Sequence, residues 1–135
     1  MKTWPGLLAA TLLALSVQAA DFGAIAPSSL ESRLGEAGLL VLDVRTPEEF
    51  AEGNVPGAIN IPHDQVGARL AELAGAEDGE VVLYCRSGRR AGLAAGTLAE
   101  AGFKRLLHLE GDFPAWSAAG LPTETPAAPV ATPTP

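Results

Sequence analysis

The chain has one cysteine, Cys85, and only two histidines, His63 and His108, among its 135 residues. A lone cysteine closes no intrachain disulfide, and with two widely separated histidines it gives no metal-ligand spacing. Neither a disulfide framework nor a metal site is expected. Positive charge is also scarce: 9 Lys and Arg face 16 Asp and Glu, a formal net charge of −7. That balance argues against nucleic acid and anionic membrane surfaces as partners. Long apolar runs are missing too. The stretch from Leu7 to Val17 is roughly 11 residues, where a membrane span needs roughly 20. Preceded by Lys2 and followed by small residues at Val17 and Ala19, it fits a secretory leader over residues 1–19, cleaved after Ala19. The alternative is a buried N-terminal helix, which would lack the polar periodicity such a helix shows. The expected location is periplasmic or secreted.

What remains is enough for one domain and too short for two. Residues 39–44 form a continuous apolar run of strand length, as expected for a strand buried on both faces. Residues 57–61 and 105–109 read as further strands, and residues 80–84 as the most strand-like run of all. Between them lie helix signals. Ser28 and Glu31 offer a capping box, and Pro47 with Glu48 and Glu49 opens a short helix. Val66, Leu70 and Leu73 recur at helical spacing, residues 89–100 form an alanine-rich helix, and residues 112–119 a last turn or two. Strands alternating with helices predict an α/β domain over residues 20–122, its central parallel sheet covered on both faces. Residues 123–135 hold little beyond proline, threonine and alanine and are expected to be disordered.

The scarce charge and the scarce thiol meet in one place. Cys85-Arg86-Ser87-Gly88-Arg89-Arg90 follows the strand at residues 80–84 and precedes the helix at 89–100. Ligand sites of parallel sheets lie beyond the carboxyl ends of strands, and a helix N-terminus presents unpaired N–H groups with a partial positive charge. Those amides and three arginines favour thiolate over thiol. The alternative is an inert buried cysteine packed as a small hydrophobe. An activated thiolate in an anion-binding loop suits either sulfur transfer through a persulfide or phosphate ester cleavage. Cysteine phosphatases place five residues between cysteine and arginine, whereas four separate Cys85 from Arg90, a tighter cradle suited to one sulfur atom.

Four segments resemble the single-domain rhodanese (thiosulfate sulfurtransferase) family, in that family's order. They are Asp43 to Phe50, Gly57 to Pro62, Cys85 to Arg90, and Gly111 to Trp116 with Ala119 to Pro122. The leader plus a lone domain is similar to the small periplasmic members. The resemblance implies a rhodanese-like three-layer fold, Cys85 as carrier of the sulfane sulfur, and the amides of Arg86, Ser87, Gly88, Arg89 and Arg90 as its cradle. It implies transfer from thiosulfate or a similar anionic donor to cyanide, a thiol or a protein acceptor, with no cofactor, by a monomer. A non-catalytic persulfide carrier or binding module is the alternative, and a phosphatase or arsenate reductase a further one.

Within this reading Arg90 is an anion contact facing the loop, or else faces solvent. Arg86 and Arg89 shape the field at the pocket mouth. Asp43, Arg45 and Glu49 are structural support, with Arg45 expected to pair with Glu49. Gly88 relieves backbone strain in the loop. Phe113 and Trp116 are expected in the core, and a Cys–His dyad is conceivable through His63. Two residues depart from the family pattern: Asn54, where Gly-His-Ile is common, and Asp112, where a second glycine is frequent. Neither is expected to touch the cysteine loop.

Overall fold

The computed structural model describes residues 21–126; the leader-like segment and residues 127–135 lie outside them. Five parallel strands, β1 (Asp21–Ile25), β2 (Leu39–Asp43), β3 (Ile59–Asn60), β4 (Glu80–Tyr84) and β5 (Arg105–Leu109), form one sheet in the order β1-β5-β4-β2-β3. Helices α1 (Pro27–Arg33), α2 (Pro47–Glu52), α3 (Arg89–Glu100) and α4 (Asp112–Ala118) complete the α/β fold.

β2 and β4 lie side by side with neighbours on both edges, which is why they are the most continuously apolar segments. Alternation along them divides the core. Leu42, Val44, Val81 and Leu83 face one layer, with Ala91, Ala94, Ala95 and Leu98 of α3. Val41, Val82 and Tyr84 face the other, with Leu30 of α1 and Trp116 of α4. The alanines let α3 sit close on the sheet. Trp116 is fully buried and donates its indole N–H to the Pro122 carbonyl at 2.7 Å. Burial of that size is worth about 3–5 kcal/mol on truncation to alanine.

The topology places the site. From β2 the chain leaves through α2 towards β3, and from β4 through α3 towards β5 on the other side. A crevice therefore opens between the carboxyl ends of β2 and β4, where ligands bind in open parallel sheets.

Several local expectations are corrected. Ser28 is not an N-cap: α1 starts two residues earlier than that cap would set it, with Ala26 as N-cap, Pro27 in the first helical position and no side-chain cap. Proline supplies the fixed φ that a first turn needs, so the helix begins there. The segment around Val66, Leu70 and Leu73 is not an α-helix but a 3-10 segment, Gly67–Leu73, broken at Arg69. Apolar spacing fixes which face is buried, and both helix types bury that face. β1 has no counterpart among the expected strands, and the expected strand at 57–61 is only Ile59–Asn60. Glu124, within the segment expected to be disordered, pairs with Asn54 through both backbone groups and accepts the Gly57 N–H.

Candidate active site

Cys85 directly follows β4, on the side facing α3, and is fully buried. Its backbone is clamped by the start of α4: its N–H donates to Asp112 Oδ1 at 2.9 Å, and its carbonyl accepts the Phe113 N–H at 3.1 Å. The next residues turn back sharply. Gly88, with φ +90°, takes the left-handed conformation that ends the loop and caps α3. A side chain there would be strained, and its Cβ would lie 3.4 Å from His108 Cε1 and 3.5 Å from Asp112 Oδ2. The turn aims backbone donors at the sulfur. Gly88 N–H reaches Sγ at 3.0 Å and Ala91 N–H at 3.4 Å. These are unpaired amides of a helix N-terminus, so they stabilise negative charge on sulfur without a counter-ion.

The arginines are used differently from one another. Arg86, Arg89 and the intervening Ser87 are exposed. Arg90 points neither at the sulfur nor simply to solvent: it makes a two-pronged ion pair with Glu49 of α2, at 2.7 and 3.2 Å. Glu49 thereby joins α2 to α3, while also accepting the Thr46 N–H as half of a capping box. Arg90, opposed by partial burial and helped by Thr46, holds the Glu49 carboxyl down at about 2. The expected Arg45–Glu49 pair is therefore corrected. Arg45 folds back on Asp43, donating from its backbone N–H at 2.9 Å and its guanidinium at 2.6 Å, and also bonds the Gly53 carbonyl. Two residues apart on an extended chain, Asp43 and Arg45 share a face, and both are buried. The Arg45 guanidinium lies 4.2 Å from the centre of the Phe113 ring and 5.4 Å from that of Tyr84. Burial, then the neighbouring Asp43, keeps the Tyr84 hydroxyl protonated well above the usual phenol range. This is a rigid brace under the crevice.

A cleft of about 360 Å³ opens beside the loop, lined by Arg45, Glu49, Glu52, Arg86, Phe113 and Pro114. Phe113 is thus half in the core and half in the wall, whereas Trp116 is wholly core. Among the described residues no group of three or more His, Cys, Asp or Glu side chains could hold a metal ion.

Two residues of the site were not expected there. Asp112 does touch the cysteine loop. Its side chain is 5 % exposed, and the oxygen that accepts the Cys85 N–H lies 3.5 Å from Sγ and 2.9 Å from His108 Nε2. His108, rather than His63, is the histidine that meets the Asp112 carboxylate, and its side chain is 26 % exposed. The signal was present in the departure itself. Asp112 has φ +57°, a left-handed position that suits glycine, and aspartate is one of the few other residues that tolerate it. Unlike glycine it brings a carboxylate.

The sequence profile of the rhodanese-like domain family matches residues 26–119. A sulfurtransferase of Allochromatium vinosum is 39 % identical over 99 residues, covering 73 % of this chain and 91 % of the relative. Thiosulfate sulfurtransferase 16 of Arabidopsis thaliana is 37 % identical over 99 residues, covering 65 % of this chain and 82 % of that one. The crystal structure of a thiosulfate sulfurtransferase from Pseudomonas aeruginosa superposes with a TM-score of 0.69 at 34 % identity, over 80 % of this chain and 20 % of that one. With the cysteine loop at the carboxyl end of the central strand and a family match across most of the described residues, this chain belongs to the rhodanese-like domain family.

Proposed function

We propose that this protein is a thiosulfate sulfurtransferase working through a Cys85 persulfide. The observation that carries the reading is the pair of amides on Sγ, from Gly88 and Ala91. They can hold an anionic sulfur in a ring too small for phosphate. In the first half-reaction Sγ attacks the outer sulfur of thiosulfate or a similar anionic donor, and sulfite leaves. In the second, a thiophilic acceptor (cyanide, a thiol or a protein thiol) removes the outer sulfur. Arg86, exposed in the cleft wall, is placed to attract the donor's sulfonate. Because Cys85 is fully buried, the donor reaches it only when the residues packed around it give way.

A phosphatase needs its loop arginine free for phosphate oxygens, and Arg90 is already committed to Glu49. The burial of Sγ favours one second reading, a persulfide carrier whose loop opens against a partner protein. The leader-like residues 1–19 support export, with a mature chain starting at Ala20.

Intact mass separates these readings. The purified mature protein is weighed after thiosulfate, then after cyanide, beside Cys85→Ser. Gain of one sulfur atom, removed as thiocyanate and absent from Cys85→Ser, is expected, with many turnovers in excess cyanide. Uptake without turnover supports the carrier. No uptake by a reduced thiol rules out thiosulfate as donor.

A further inference from the structure

The surface around the cysteine loop departs from the rest of the domain in two independent ways. The first is charge. Arg33, Arg45, Arg69, Arg90 and Arg105 are each hydrogen-bonded within the domain. Arg86 and Arg89 are exposed and, among the described residues, pair with no carboxylate. The second is apolar exposure. Phe22 and Leu93, at 41 % and 53 %, are the large hydrophobic side chains left exposed among the described residues. Both sit beside the loop. Leu93 is one turn beyond Arg89 on α3, so the two share a face. The Phe22 ring lies 5.7 Å from that of His108, and a Cβ on Gly88 would lie 3.4 Å from His108 Cε1. Single exposed hydrophobics are ordinary. Two that flank one loop, together with both unpaired arginines, are not. A small donor accounts for only part of this, because Arg86 borders the cleft whereas Arg89, Phe22 and Leu93 do not. Only a larger partner spans the cleft and the outer face of α3.

We propose that Arg86, Arg89, Leu93 and Phe22 form the docking surface for a protein acceptor whose thiol lies among acidic and apolar side chains. The proposal rests on the sulfur-transfer reading and names the acceptor within it. Charge selects the partner. A chain of net charge −7 repels an acidic protein over most of its surface and attracts it where the free cations cluster. That attraction turns the acceptor's thiol towards Cys85. Apolar contact at Leu93 and Phe22 then holds it while the residues over the buried sulfur give way. In the transfer the acceptor's sulfur bonds to the outer sulfur of the persulfide. The Sγ–S bond breaks with its electron pair on Sγ, and the acceptor's proton stays on its new persulfide. No oxidant or reductant enters.

The test uses mature protein loaded to completion as the Cys85 persulfide with thiosulfate, then freed of donor. Slower loading of a variant therefore does not enter the readout. Discharge rates are measured with two synthetic peptide thiols. Each holds one cysteine beside a leucine, flanked in one peptide by glutamates and in the other by lysines. Comparing the acidic-to-basic rate ratio between protein variants cancels the peptides' own reactivities. That ratio should fall about 10-fold in Arg89→Glu. Glutamate suits the first turn of a helix, so this variant keeps α3. Leu93→Ser should slow discharge to the glutamate peptide about fivefold, through lost apolar burial, and leave discharge to cyanide unchanged. An unchanged ratio in Arg89→Glu, or equal slowing of peptide and cyanide discharge in Leu93→Ser, overturns the docking surface. A wild type that takes no sulfur sinks the sulfur-transfer reading and this surface with it. A wild type that loads and discharges to cyanide, with peptide rates the same in every variant, sinks the surface alone.

Discussion

The two ends of the sheet differ in a way opposite to their size. At the amino ends of β2 and β4 lies the larger cleft, about 690 Å³, bordered by Gly38, Leu39, Gly79, Glu80 and Arg105. Its charged groups already have partners: Glu80 holds Arg33, Glu72 holds Arg69, and Arg105 bonds the Asp78 carbonyl. None of them converges on a reactive atom. At the carboxyl ends the cleft is about half as large, yet two amides and a buried carboxylate oxygen are aimed at one sulfur. Volume measures room for a ligand, whereas convergence measures what can happen to it. The asymmetry follows from connectivity, since only at the carboxyl end do the chains leaving β2 and β4 part and open a crevice.

Two glycines, one at each end, give the comparison its sharpest test. Gly88→Ala should have the largest effect. Forcing a Cβ into the left-handed region costs about 1–2 kcal/mol, and the shifted N–H no longer reaches Sγ. Loss of one such donor slows chemistry by about 100-fold or more, read as the single-turnover rate of sulfur loading. Gly79→Ala should come next, acting on stability alone. Its Cβ would lie 2.5 Å from the Gly38 carbonyl oxygen, which itself accepts the Glu80 N–H. Overpacking against backbone costs about 1–3 kcal/mol, read as a lower urea midpoint. Loading per folded molecule should be unchanged. Equal losses of loading in both variants would break the distinction between the ends.

The elements that carry the site were legible because their signals are local and dense. The strand at 80–84 and the helix at 89–100 match β4 and α3, and Cys85 falls between them. What was not legible depends on distance in sequence. β1, Asp-Phe-Gly-Ala-Ile, is an edge strand whose small residues give no clear strand signal, and it acquires its identity by pairing with β5, far along the chain. Arg45 had two acids within reach; the expected partner was Glu49 on the next helix, but the extended backbone turned Arg45 to Asp43, two residues away. Glu49 was then left for Arg90, 41 residues away. Asp112 was visible as a departure from a family pattern, but a pattern records which residue is unusual and not what it faces. Its contact with Cys85 arises because β4 and β5 are adjacent parallel strands, so the turns that follow them meet.

The smallest effect expected is that of Glu49→Gln, and its pH dependence makes it informative. The Glu49 carboxyl is held at about 2 against 4.5 when unperturbed, chiefly by the Arg90 hydrogen bonds. Between those values the unfolded chain binds a proton that the folded one does not, so stability rises with pH there. The contribution is complete above about 4.5 and lost as pH falls through about 2. Partly solvated as the pair is, it is worth about 1 kcal/mol rather than the full shift. Urea midpoints of wild type and Glu49→Gln should therefore differ at pH 7 and pH 5, and converge as the pH approaches 2. Sulfur loading at pH 7 should change by less than about threefold, because the Gly88 and Ala91 amides remain on Sγ and an interaction absent from the reacting atoms lowers no barrier. A large loss of loading with an unchanged urea midpoint would mean that Arg90 must be anchored for the loop to hold its shape. The ion pair between α2 and α3 would then belong to the cradle rather than to the scaffold beneath it.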